Sequence, residues 1–169
     1  DVISMISKPE GLPDGKIPEG GLYGDSGCVN GPHVHEYLQE MNREVLSKYD
    51  LMTVGECAGV TIEEAEKYAS ADGKELSMVF QFELVELASG KYGKWTDKRV
   101  PLKDFKRVMT AWQTELEGKA WNSLFLGNHD QPRCLSRFGD DSPEYRVVSA
   151  KMLATCLHMI GLIPEGSSL

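Results

Sequence analysis

Short apolar runs alternate with amphipathic stretches along this chain, and the alternation sets the expected order of elements. Residues 1–6 read as the end of a strand. Residues 8–32 hold seven Gly and four Pro, so a long loop is expected there. Behind Gly31-Pro32, the positions Val34, Leu38, Met41, Val45 and Leu46 fall at helical spacing and predict a helix over 33–49. Residues 51–54 read as a buried strand running into Gly55-Glu56-Cys57. Thr61, with Glu64 three residues on, is the pattern of a capped helix over 62–69. A strand is expected at 78–82, a loop through Gly90, Gly93 and Trp95, and a helix over 102–116 behind Pro101. Residues 123–126 read as a third strand, ending in Gly127-Asn128-His129-Asp130, and a last helix is expected over 143–160.

Strands and helices in this order predict an α/β fold of parallel βαβ units. At 169 residues the chain can form one domain with a core. A complete (β/α)8 barrel typically needs about 250 residues. A net charge of −8 argues against nucleic acid or an anionic membrane surface as partner, because phosphate binding needs clustered Lys and Arg. No apolar run reaches the roughly 18 residues of a membrane span. The four cysteines, Cys28, Cys57, Cys134 and Cys156, form no CxxC pair, so free thiols in a reducing, cytoplasmic setting are expected. The opening Asp-Val-Ile-Ser-Met-Ile has no initiator Met and reads as a cut inside a domain.

Functional residues of parallel β/α folds gather at the C-terminal ends of strands. Asp1, Glu56 and Asp130 all fall there. The 55 residues from Asp1 to Glu56 fit one βα unit with a long loop, and the 74 from Glu56 to Asp130 fit two shorter units. Acidic groups converging on a barrel mouth serve either a divalent metal or acid, base and nucleophile work at a glycosidic bond. Taken singly, an Asp at a chain start or a Gly-Glu at a strand end has bland readings, such as helix capping. The run from Asn128 to Arg133 does not, since packing asks for no such cluster of polar and special residues after a buried strand.

Asp1-Val2-Ile3 with Ile6-Ser7-Lys8, Val54-Gly55-Glu56, and Asn128-His129-Asp130-Gln131-Pro132-Arg133 resemble conserved blocks of the α-amylase family, glycoside hydrolase family 13. The likeness is greatest to its oligo-1,6-glucosidase and α-glucosidase members and covers nearly all of residues 1–160. Phe80-Gln81-Phe82-Glu83 is similar to the family's sixth strand. The resemblance implies an incomplete (β/α)8 barrel, from the end of strand four through the helix after strand seven. It implies Asp1 as nucleophile, Glu56 as general acid/base and Asp130 as transition-state stabiliser. His129 would bond the sugar in the −1 subsite, with Asn128 beside it and Arg133 lining the substrate site. Val2, next to the nucleophile, would favour α-1,6 linkages.

The implied activity is retaining hydrolysis of short α-glucosides, with a disaccharide or oligosaccharide as partner and no cofactor or metal. A transglycosylase or a sucrose isomerase shares every motif. A non-catalytic barrel relative is the rival from another class, and a metal-dependent barrel lyase is a further one.

Two departures stand out. Cys57-Ala58-Gly59 replaces the Met-Pro-Gly of many relatives, and residues 162–169 depart from the family's eighth strand, which divides the chain into a partial barrel over 1–161 and an atypical end. A part-barrel of this extent is expected to be inactive alone. His33 and His35 read as surface residues, His158 as a core histidine, Trp112 and Trp121 as packing residues, and Glu63, Glu64 and Glu66 as a solvated face. Cys57 and Cys134 flank the motifs, so thiol reagents are expected to act there indirectly.

Overall fold

The computed structural model describes residues 2–16 and 27–161. Asp1, residues 17–26 within the expected loop, and the atypical end 162–169 lie outside the described residues. Three parallel strands form one sheet in the order β1 (Val54–Cys57), β2 (Met78–Gln81) and β3 (Trp121–Asn122). Between them and after them run α1 (Val34–Glu44), α2 (Ile62–Tyr68), α3 (Glu83–Glu86), α4 (Leu102–Glu115), α5 (Cys134–Phe138) and α6 (Arg146–Gly161). The parallel βαβ architecture expected from the alternating pattern is present.

Each helix forms for a local reason and docks through its apolar face. In α1, Val34 and Leu38 are buried at helical spacing, and the helix gives way at Val45 to a 3₁₀ turn over Leu46–Lys48. Thr61 caps α2 by accepting a hydrogen bond from the Glu64 amide at 3.2 Å. Pro101 precedes α4, whose Val108, Met109 and Trp112 enter the core. Trp112 also donates its indole N–H to Glu83 at 2.8 Å, which ties α4 to α3. Tyr68, Trp112, Leu38 and Leu84 are among the largest wholly buried side chains.

Several expectations are corrected. Residues 2–6, the described part of the expected strand end at 1–6, are no strand; Ile3–Met5 is a 3₁₀ turn entered through Val2, which is left-handed at φ 38°. The first strand lies at Val54–Cys57 rather than 51–54, and Leu51 and Met52 are exposed. β1 has a neighbour on one side only among the described residues, so the preceding apolar run has nothing to pack under. Residues 123–126 are buried or half-buried but make no ladder, and the third strand lies at Trp121–Asn122 instead. The last helix starts at Arg146, three residues later than expected, after a turn in which the Arg146 amide bonds the Ser142 carbonyl at 2.9 Å. Trp121 is exposed, contrary to the packing role expected for it.

Two glycines permit close approach. A Cβ on Gly31 would stand 2.1 Å from the Ser7 carbonyl oxygen, so this residue lets the loop close on the Ser7 backbone. A Cβ on Gly55 would stand 2.6 Å from Ile3 Cγ2 and 2.7 Å from Leu76 Cδ1, so Gly55 lets Ile3 and Leu76 close over β1.

One buried carboxylate organises the approach of α1 to the sheet. Glu75 accepts from Gln39 Nε2 at 2.9 Å and pairs with His35 Nδ1 at 2.9 Å, while its main-chain carbonyl accepts from Asn42 Nδ2 at 2.8 Å. His35 also packs against Tyr68, with ring centroids 4.7 Å apart and the planes tilted by 50°, so it is no surface residue. Replacing Glu75 by Leu strands His35 and Gln39 without their acceptor and should cost about 2–4 kcal/mol in urea unfolding. Glu75→Gln keeps one acceptor oxygen and should cost less; equal losses for the two variants would contradict this reading.

Candidate active site

β1 carries Glu56 as its third residue, paired in register with Phe80 of β2. Glu56 is half-buried and lies within the strand rather than after its end. Its neighbour Gly55 is covered by Ile3 of the first 3₁₀ turn, so the segment that begins at Val2 stands against the strand bearing Glu56. Across the sheet, Phe80 and Phe82 both meet Phe125 edge-on, at centroid distances of 5.2 and 6.0 Å. Phe125 lies three residues before Asn128. The aromatic contact therefore connects the Glu56 rim to the segment that holds the second cluster of expected site residues.

That cluster is a turn. Asn128 Oδ1 accepts from the Asp130 amide at 2.9 Å, and its carbonyl accepts from the Gln131 amide at 3.3 Å. His129 Nε2 faces Asp130 Oδ2 at 3.5 Å. Both side chains are exposed, as is Arg133. Asn128, His129 and Arg133 line an open cavity of about 740 Å³, whose apolar wall comes from Leu124, Leu126, Leu135, Leu153 and Leu157. His158 also lines this cavity, half-buried rather than enclosed in a core.

The fold thus brings Asn128, His129, Asp130 and Arg133 together in one short segment, and sets the 3₁₀ turn that follows Val2 against β1, the strand that carries Glu56. Glu56 does not line the cavity, and Asp1 lies outside the described residues. The surroundings of Glu56 are wetter than the apolar run before it suggested. Among the described residues, no group of three or more His, Cys, Asp or Glu side chains is arranged to hold a metal ion.

Two residues that the sequence did not single out reach this region. Lys94 donates from Nζ to the Asp130 carbonyl, and Arg137 donates to the Lys94 carbonyl at 3.0 Å. Neither contact has a sequence signal, since 36 and 43 positions separate the partners.

A family model describing the α-amylase catalytic domain matches residues 1–164. The chain belongs to the α-amylase family. It is 61% identical to an oligo-1,6-glucosidase of Parageobacillus thermoglucosidasius and 57% identical to an α-glucosidase of Pediococcus pentosaceus, with 95% of this chain aligned in each case. Its fold superposes on the crystal structure of trehalose-6-phosphate hydrolase from Bacillus licheniformis, with a TM-score of 0.82, 46% identity and 94% of this chain covered. The chain spans 29% of the length of these two sequence relatives and 28% of that structure. In this family the three parallel strands are part of a (β/α)8 barrel.

Cys57, next to Glu56, is wholly buried. Burial pushes its thiol up to about 12, a hydrogen bond from the Ser4 backbone opposes the rise, and the Glu56 charge adds to it. A thiol of the unfolded chain ionises near its ordinary value of 9.0. Above that pH the unfolded state gives up a proton that the folded state retains. Stability is therefore full below about pH 9 and is lost as pH rises toward 12, by up to about 1.4 kcal/mol per pH unit for one group. Cys57→Ala should flatten this loss in urea unfolding at pH 8 and pH 10, and an unchanged slope would refute the assignment. Cys57 should also resist thiol reagents that label the half-buried Cys134 and Cys156.

Proposed function

We propose that this chain supplies the catalytic carboxylates of a retaining α-glucosidase that acts on short α-1,6-linked substrates such as isomaltose. The reading is supported by the line of contacts from Glu56 on β1 through Phe80 and Phe125 to the segment that leads into the Asn128–Arg133 turn, within a chain 61% identical to an oligo-1,6-glucosidase. Matching the family's blocks, the segment runs from the tip of the barrel's fourth strand through the helix after the seventh.

In this reading Asp1 attacks the anomeric carbon while Glu56 donates its proton to the departing glycosidic oxygen, giving a β-glycosyl ester on Asp1. Glu56, now ionised, takes a proton from water, whose oxygen displaces the ester and releases α-glucose with retention. Retaining enzymes hold these two carboxyl groups about 5 to 5.5 Å apart. Asp130 and His129 grip the ring hydroxyls and hold them more tightly as positive charge develops at the anomeric centre. Arg133, which lines the open cavity beside His129, borders the substrate site in this reading. Val2 narrows the space beside the nucleophile and favours the α-1,6 linkage. The carboxylates carry the reaction as written, and the substrate is a disaccharide or short oligosaccharide. Cys57, Cys134 and Cys156 are free thiols, which fits a reducing, cytoplasmic setting.

The test follows isomaltose by proton NMR at early times, using a barrel in which residues 1–161 replace the matching stretch of the Parageobacillus relative. α-Glucose should appear first. Asp1→Asn, Glu56→Gln and Asp130→Asn should each lower kcat by about a thousandfold or more. β-Glucose appearing first would sink the retaining mechanism. Consumption of maltose with isomaltose left intact would sink the linkage assignment, and a folded barrel inert to every α-glucoside would sink the hydrolase reading.

A further inference from the structure

The 3₁₀ turn that follows Val2 is held against β1 by contacts from outside the turn. Ser4 and Ser7 are both buried, so this stretch is enclosed although it forms no strand. Two bonds reach it from the chain at the start of α1. The Asn30 amide donates to the Ser4 carbonyl at 2.9 Å, and the His33 amide donates to Ser7 Oγ at 2.9 Å. The Ser4 backbone also bonds the sulfur of Cys57, the residue after Glu56. Ser4 therefore joins Asn30 to the strand that carries Glu56.

Asn30 is itself fixed from α2. Its backbone is left-handed at φ 53°, a conformation that Asn adopts more readily than most residues with a side chain. Its side-chain carbonyl accepts from the Tyr68 hydroxyl at 2.7 Å. Tyr68 is wholly buried and its ring packs against His35, so the core sets the direction of the hydroxyl. Burial also pushes the phenol pKa up, which keeps the group a donor. A buried hydroxyl without an acceptor is costly, and Asn30 is the acceptor this one has.

We propose that Asn30 and Tyr68 are positioning residues for the nucleophile, joining α2 to the turn that follows Asp1 and so setting that turn against the strand of Glu56. The proposal rests on the reading of Asp1 as nucleophile. Asp1 is bonded directly to Val2, whose carbonyl accepts from the Met5 amide at 2.9 Å, so a shift of the turn is passed to the residue before it. Both residues act through the backbone of the turn and not on the substrate. A small displacement of an attacking carboxylate slows its attack more than it weakens the binding of the sugar.

The test uses the barrel that carries residues 1–161. Tyr68→Phe removes the hydroxyl and keeps the ring in the core, and Asn30→Gly removes the acceptor while tolerating the left-handed backbone. Each should lower kcat on isomaltose about tenfold with KM changed by less than about twofold. The double variant should lose no more than either single one, because both break the same bond. p-Nitrophenyl α-glucoside, whose leaving group needs little protonation, should show the same loss, which assigns the fault to the nucleophile rather than to Glu56. Asn30→Asp keeps an acceptor and should hold kcat within about threefold of the unsubstituted barrel; a loss as deep as that of Asn30→Gly counts against the bond. Tyr68→Phe should also speed hydrogen exchange at the Asn30 amide. Unchanged exchange there overturns the link between α2 and the turn. Faster exchange with full kcat overturns the positioning role, as does full activity on the aryl glucoside or a double variant whose losses multiply. If the unsubstituted barrel hydrolyses no α-glucoside, the hydrolase reading fails by itself, and the exchange measurement still decides whether the link exists.

Discussion

Four backbone pairs between β1 and β2, from Val54–Met78 to Cys57–Gln81, fix the geometry on which the rest of this chain depends. The ladder is closed at its lower end by a polar exchange in which the Thr53 amide bonds Ser77 Oγ at 3.0 Å and the Ser77 amide bonds Thr53 Oγ1 at 2.9 Å. With that register set, Glu56 stands beside Phe80, Phe80 meets Phe125, and Phe125 leads into the Asn128 turn. A slip of one residue would turn Glu56 to the other face of the sheet and break this line of contacts. Gly55 belongs to the same constraint, because it alone in β1 leaves room for Ile3 and Leu76 to close over the strand.

Polar groups bind the outer elements to this sheet as much as apolar packing does. Glu75 draws α1 inward through His35, Gln39 and Asn42, and Trp112 anchors α4 to α3 through Glu83. Buried polar groups of this kind contribute little net stability when satisfied, yet they are costly to disrupt, so they specify one arrangement of helices over others. On the exposed side, Asn128 bonds the turn over 128–131 internally, the Lys94 ammonium donates to the Asp130 carbonyl, and Arg137 donates to the Lys94 carbonyl.

Much of the fold was legible because helical periodicity and capping are local properties. The helices at Val34–Glu44, Ile62–Tyr68 and Leu102–Glu115 begin at or within a residue of where spacing, Thr61 and Pro101 put them. The strands were less legible. Leu51, Met52 and Trp121 read as packing residues yet are exposed, and α6 leaves Val147, Val148, Met152 and Met159 exposed. An apolar run states that a residue can be buried; whether it is buried depends on a neighbour that the run does not encode. His35 failed the other way: read as a surface residue, it pairs with a carboxylate 40 positions along the chain.

The sequence by itself determined the family and the candidate chemistry, because catalytic blocks are short, contiguous and tied to the ends of strands that local pattern can place. It also determined the parallel βαβ order, since alternating strand and helix periodicities admit few other topologies. Tertiary structure alone decided the register of β1 on β2, the aromatic link through Phe125, the burial that raises Cys57, and the meetings of Lys94 with Asp130 and of Arg137 with Lys94. These are contacts between residues far apart along the chain, and their energies arise only once the intervening elements have folded and excluded water.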